Sequence, residues 1–231
     1  TLLASSAASD VYKRQVVDRS GSMDGGEYGV SKIEMAKEAC IRSLSSFMPG
    51  DFVGVLAFDD IGTWAVPFQN VQDNLEDIRI GIGNIQPGGG TSILPALREA
   101  YQTLKEADTK QKHILLLTDG EAEKTGYDGL LAQMNESGIT LSTVAVGKGA
   151  DTQLLTSLAQ KGKGRYYFTS EFTDLPEIFA KETLLASKQY INNRTFYPQQ
   201  NQASAILAEI DAIAPLDGYV GTTAKQRADV V

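Results

Sequence analysis

VVDRSGSMD, residues 16–24, decides how the rest of the chain is read. Two β-branched residues run straight into Asp18, and Ser20 and Ser22 follow at alternate positions, an Asp-x-Ser-x-Ser pattern at a strand end. In a turn, alternate spacing can aim three oxygen side chains at one locus. A hard cation such as Mg²⁺ takes about six oxygen ligands and usually keeps several waters. One carboxylate and two hydroxyls leave that shell incomplete, so the remaining oxygens must come from elsewhere in the chain.

Two later loops can supply them. PGGGTS, residues 87–92, leads into a helix, and its glycines allow the backbone a tight approach beside Thr91. LLLTDGE, residues 115–121, sets Asp119 at the end of a buried strand, so that its carboxylate emerges at the carboxyl edge of a sheet. In open α/β sheets ligands bind at that edge, at the topological switch point. Each piece alone is common. The three together, in this order and on strand–loop–helix contexts, are specific.

Outward from these loops the chain alternates strand and helix. Residues 51–58 (DFVGVLAF) read as a continuous apolar strand and 63–68 as an edge strand containing Pro67. Residues 113–118, 139–146 and 165–168 are further strands, rich in Leu, Ile, Val and aromatics. Ser31-Lys32-Ile33-Glu34 is a capping box, and apolar Ile33, Ala36, Cys40, Leu44 and Phe47 follow at spacings of three and four. A second helix is read at 71–82, and a third after Thr91 with Ile93, Leu97, Ala100 or Tyr101, and Leu104 on one face. Others follow at 128–135, 151–160 and 173–187. Such alternation implies a parallel sheet covered on both faces.

The 231 residues suffice for one α/β domain and part of another, and 42% hydrophobic content can build a sizeable core. Twenty-one Lys and Arg against 29 Asp and Glu leave a net charge of −8. With no basic stripe to displace phosphate counterions, a nucleic-acid partner is not expected. No apolar run approaches the roughly 20 residues that span a bilayer, so direct membrane contact by this stretch is not expected either. Cys40, the one cysteine, excludes an intramolecular disulfide and a Cys-based zinc site, and its helical position reads as core. His113 precedes an apolar run and reads as a strand-edge residue rather than a catalytic base.

The three-loop pattern resembles the metal-ion-dependent adhesion site of von Willebrand factor A (vWA) domains, shared by integrin I domains and many bacterial proteins. Asp18, Ser20, Ser22, Thr91 and Asp119 match the family's ligand positions one for one, and the likeness covers residues 16–187, including TDLPEIFAKET. It implies a Rossmann-like α/β fold: a mostly parallel central sheet, helices on both faces, and 63–68 as one antiparallel edge strand. It further implies Mg²⁺ or Mn²⁺ as cofactor. In the family the two serines typically bind directly, while the Thr and both Asp bind directly or through water. The implied function is coordination rather than turnover, the ion taking an Asp or Glu of a partner protein into an open position. Asp24, Glu27, Glu121 and Glu123 read as solvated loop residues; Asp59-Asp60, Trp64 and Tyr166-Tyr167 read as structural.

The two ends read differently. Lys13, Arg14 and Gln15 stand where a buried parallel strand should be apolar, and SSAASDVYKRQ resembles translated sequencing-adaptor sequence. Residues 1–15 are therefore read as a non-native leader, leaving Val16-Val17 as a stub of the first strand. Residues 188–202 turn Asn/Gln-rich, a linker signature, and 203–231 read as the truncated start of a second domain. There 203–212 has helical periodicity and PLDGYVGTT suggests a turn into a strand. This tail resembles the segment after the A domain in bacterial membrane-anchored proteins that continue into a glutamine-amidotransferase-like domain. The resemblance implies a bacterial cell-envelope location, with anchoring by segments outside this chain.

Two other functions compete with metal-dependent protein binding. A Mg²⁺-dependent phosphohydrolase would want a nucleophile or acid/base group beside the metal, and the common aspartyl pattern puts Asp where Ser20 stands. No G-x-x-x-x-G-K-[ST] loop occurs. A purely structural domain with an unused site is the third reading.

Overall fold

Strand and helix alternate in the computed structural model as the hydrophobic runs dictate. Residues 11–27, 29–48, 50–107, 109, 111–187, 191–192 and 219–220 are described below. Six strands form the main sheet: β1 Val11–Asp18, β2 Phe52–Phe58, β3 Gly62–Asn70, β4 Gln111–Thr118, β5 Ile139–Val146 and β6 Lys163–Thr169. Their order is β3-β2-β1-β4-β5-β6. All neighbours are parallel except β2 and β3, whose antiparallel pairing makes β3 the expected edge strand.

Because side chains alternate along a strand, one sheet feeds two cores. Val16, Leu56, Phe58, Ile114, Leu116 and Leu141 face one way, beneath α3 Ile93–Lys105, α4 Tyr127–Glu136 and α5 Thr152–Lys161. Val17, Val53, Val55, Leu115, Leu117 and Val144 face the other. They meet α1 Lys32–Ser43, α2 Leu75–Gly83 and α6 Leu175–Ser187. This is an α/β, Rossmann-like fold, with a mostly parallel six-stranded sheet, one antiparallel pair and helices around it.

Four sequence expectations need correction. The first strand is not a stub at Val16: it starts at Val11 and runs between β2 and β4 along its length. Backbone pairing is indifferent to side chains, and Lys13, Arg14 and Gln15 are buried by other means. Lys13 Nζ donates to the Thr183 carbonyl (2.5 Å) and lies over the Phe47 ring. Gln15 Nε2 donates to Ser43 Oγ (2.8 Å), and Arg14 stacks on Trp64 and Phe68. Burial lowers the Lys13 ammonium to about 8. The second helix begins at Leu75 rather than residue 71, because Val71 N instead bonds the Asp51 carbonyl (3.0 Å). The first helix ends at Ser43 and tightens into a 3₁₀ turn, Leu44–Ser46, before Phe47. His113 lies inside β4 rather than at a strand edge and is buried.

Thr1–Ser187 and Lys188–Val231 are two compact units. In the second, Ile191–Asn192, inside the stretch read as linker, pairs antiparallel with Tyr219–Val220, where PLDGYVGTT suggested a strand. Residues 1–10 and the helix read at 203–212 lie outside the described residues.

Candidate metal centre

β1 ends at Asp18, and Asp119 is the first residue after β4, the strand beside it. From β1 the chain moves to the β2 side; from β4 it moves to the β5 side. The two carboxylates therefore stand at the switch point, where diverging crossovers open a crevice at the strands' carboxyl ends.

Asp18 is fully buried and held at both oxygens. The Ser20 N–H donates to Oδ1 (2.7 Å), and the Thr118 hydroxyl donates to Oδ2 (2.5 Å). Burial pushes this carboxyl above its ordinary value; hydrogen bonds from Ser20 and Thr118 oppose that, and the Asp119 charge adds to it. Ser20 Oγ and Ser22 Oγ are 3.0 Å apart, and Ser22 Oγ donates to Asp119 Oδ1 (2.7 Å). Asp119 Oδ2 receives Lys32 Nζ at 2.5 Å.

Backbone bonds clamp the glycine loop onto the first loop. Gly88 N donates to the Arg19 carbonyl (2.7 Å), and Gly21 N donates to the Gly89 carbonyl (3.0 Å). Gly89 has φ +77, and a Cβ there would lie 2.7 Å from the Asp59 Cβ, so both conformation and space demand glycine. Asp59 is buried, pairs with Arg19 at 2.5 Å, and accepts the Ser92 N–H at its carbonyl (2.7 Å). Asp60 Oδ2 accepts from Gly90 N (3.1 Å). Thr91, half-buried, faces the third loop: its Oγ1 is 3.5 Å from where a Cβ on Gly120 would stand.

The three loops thus meet at the carboxyl edge of the sheet, with Ser22 in contact with both Ser20 and Asp119 and Thr91 against Gly120. Asp59-Asp60 are structural, as read, through the bonds above. Trp64 Nε1 donates to Glu99 (3.0 Å) and Tyr167 OH to Glu182 (2.6 Å), also structural roles. Cys40 is buried, and burial pushes its thiol up to about 12. Asp24, at the end of the 3₁₀ turn Gly21–Asp24, and Glu121, in a loop, are exposed; the Glu27 side chain lies outside the described residues. Glu123 is a correction. Its carboxylate accepts from Ile93 N (3.2 Å) and Leu94 N (2.6 Å), capping α3 beside Thr91. Sequence reading also missed Thr118 and Lys32, whose roles depend on contacts 100 and 87 residues away.

The donor set suits a hard divalent cation. Two carboxylates, one of them fully buried, lie close enough for their charges to oppose each other, and hydroxyl oxygens fill the gap between them. Among the described residues no three His, Cys, Asp or Glu side chains cluster as a metal site, so any ion here would lean on hydroxyls and water.

Residues 15–121 match the family model of the von Willebrand factor type A domain. Calcium-activated chloride channel regulator 1 of Bos taurus is 24% identical over 212 residues, 89% of this chain, and the chain spans 22% of that protein's length. A von Willebrand factor type A structure from Catenulispora acidiphila superposes with a TM-score of 0.66 at 22% identity, covering 83% of this chain and 46% of that one. Proximal thread matrix protein 1 from the mussel byssus, in a structure with a zinc-occupied MIDAS motif, gives 0.64 at 20% identity, covering 78% and 46%. These two structures share the fold.

Proposed function

We propose, from the premise that this chain carries a von Willebrand factor type A domain, that it is a divalent-metal-dependent protein-binding module. Asp18, Ser20, Ser22, Thr91 and Asp119 would hold Mg²⁺ or Mn²⁺. The supporting observation is the meeting of three loops at the switch point, where the Ser22 hydroxyl donates to Asp119 beside a buried Asp18. The bound ion would supply an open coordination position for an Asp or Glu of a partner protein. The protein's part is orientation. Ser20 N and Thr118 fix Asp18, the Arg19–Gly88 and Gly21–Gly89 bonds set the loops, and Glu123 seats the helix after Thr91. Asp18 is committed at both oxygens, to the Ser20 N–H and to the Thr118 hydroxyl, which supports a fixed coordinating role for it rather than a nucleophilic one. The zinc-occupied motif belongs to the mussel protein and supports a metal here only by similarity of fold. No helix among the described residues is long and apolar enough to cross a membrane. A bacterial cell-envelope location remains part of this proposal through the resemblance of the tail.

Calorimetric titration of the full chain with Mn²⁺ and Mg²⁺ tests the reading. Asp18→Ala and Asp119→Ala are each expected to abolish binding. Retained affinity in both variants would sink the ligand assignment, and phosphoester turnover lost with Asp18 would favour the hydrolase.

A further inference from the structure

Lys32 opens α1, and three contacts hold it over the crevice. Its N–H donates to the Gly25 carbonyl (2.9 Å), which fixes the backbone after the Asp-x-Ser-x-Ser loop. Its ammonium takes Asp119 Oδ2 at 2.5 Å, and the Phe172 ring centroid lies 5.6 Å from Nζ. The Asp119 side chain is only 2% exposed, whereas that of Lys32 is 32% exposed, so the cation enters the site from its solvent side. The other Asp119 oxygen already accepts from Ser22.

The charges explain why a lysine belongs there. Asp18 and Asp119 bring two negative charges to one buried edge, and the Asp119 charge makes ionised Asp18 costlier. One ammonium removes part of that repulsion. It also engages an oxygen on a residue the metal reading needs, and repels any divalent ion close by. We propose that Lys32 is a resident counter-cation of the metal centre: it shares Asp119 with the ion, weakens divalent-metal binding and keeps the crevice charge-balanced without metal. This rests on the metal reading above. It raises the metal concentration at which the site is half occupied, because the ion enters against a built-in competitor.

The test uses the full chain and Mn²⁺ alone, with affinity read by calorimetry and by electron paramagnetic resonance of free Mn²⁺. Lys32→Met keeps the apolar stem and removes the charge, and Lys32→Gln is a milder second variant. Each is expected to bind Mn²⁺ about tenfold more tightly than wild type, a discounted figure for one unit charge on a partly exposed group. Lys32→Arg, which keeps the charge, should remain near wild type. In EDTA the uncharged variants should melt below wild type, and saturating Mn²⁺ should raise their melting temperature more than that of wild type. Equal or weaker Mn²⁺ binding in both uncharged variants, while wild type binds in an Asp18-dependent way, would overturn the counter-cation role alone. A wild type that binds no Mn²⁺ would overturn the metal reading and this inference with it.

Discussion

Arg14 and Gly54 are register partners on neighbouring strands, and the Arg14 guanidinium occupies the space that a Gly54 side chain would fill. Arg14 is 2% exposed, its Nε and Nη1 lack hydrogen-bond partners, and burial lowers it to about 10 despite Glu99. Its compensation comes from the rings of Trp64 and Phe68, the latter centred 3.9 Å from Cζ. Buried ionic groups replaced by apolar ones of similar shape are often neutral or stabilising by about 1–4 kcal/mol. Arg14→Met, which keeps the apolar stem and much of the volume, is therefore expected to raise the free energy of unfolding in a denaturant titration. Gly54→Ala alone should cost about 1–3 kcal/mol through overpacking against Arg14. Combined with Arg14→Met, it should cost little or stabilise. Additive effects would show that the two side-chain positions do not compete for that space.

Thr118 bears on the metal reading without being one of the proposed ligands. Its hydroxyl donates to Asp18 Oδ2 and also accepts from Gly120 N (3.2 Å), so it joins the first and third loops. Thr118→Val preserves shape and removes both bonds. A buried acceptor left unpaired costs about 1–3 kcal/mol. We expect a loss of that size in stability and at least about tenfold weaker Mn²⁺ binding, in line with the usual effect of removing an orienting partner. Thr118→Ser should recover most of both. A valine variant with wild-type affinity would show that Asp18 does not depend on this hydroxyl for its orientation.

Away from the metal site, Glu182 on α6 is 1% exposed and gathers donors from the interiors of the strands. Ser142 Oγ donates at 2.6 Å, Arg165 Nε and Nη2 at 2.7 and 2.8 Å, and Tyr167 OH at 2.6 Å. His113 Nε2 lies 3.0 Å from Oε1. Burial alone would raise this carboxyl; His113, Arg165 and Ser142 outweigh it and hold it well below the usual range. A folded value below the unfolded one favours folding above the unfolded value. That contribution is full above about pH 4.5 and is lost as pH falls further. Glu182→Gln is expected to cost about 3 kcal/mol at pH 7, and to flatten the decline in stability below pH 4.5. Thermal melts from pH 7 to 3 check both; a variant that tracks wild type down the acid limb would remove Glu182 from the account.

Much of the architecture is legible locally. Residues 52–58 form an apolar run and 139–146 a largely apolar one, both buried on the two faces of the sheet, which only a covered sheet can house. The capping box at Ser31 is realised as a bond from Glu34 N to Ser31 Oγ (3.4 Å). Residues 11–15 misled because propensity judges side chains, whereas a central strand is recruited by the backbone donors and acceptors of both neighbours. Glu123 misled because an acidic residue in a polar loop looks solvated until a helix N-terminus is brought to it.

Read alone, the chain yields the alternation of strands and helices, the sheet edge where the proposed site lies, and the oxygen-bearing residues Asp18, Ser20, Ser22, Thr91 and Asp119 proposed for it. Periodicity, glycine placement and strand-end carboxylates are local properties. Folding alone reveals that β1 reaches back to Val11, that Thr118 holds Asp18 and that Lys32 lies on Asp119. Those contacts join residues 100 and 87 positions apart. Their strength comes from burial and charge at one point in space, and neither quantity exists until the sheet has brought the loops together.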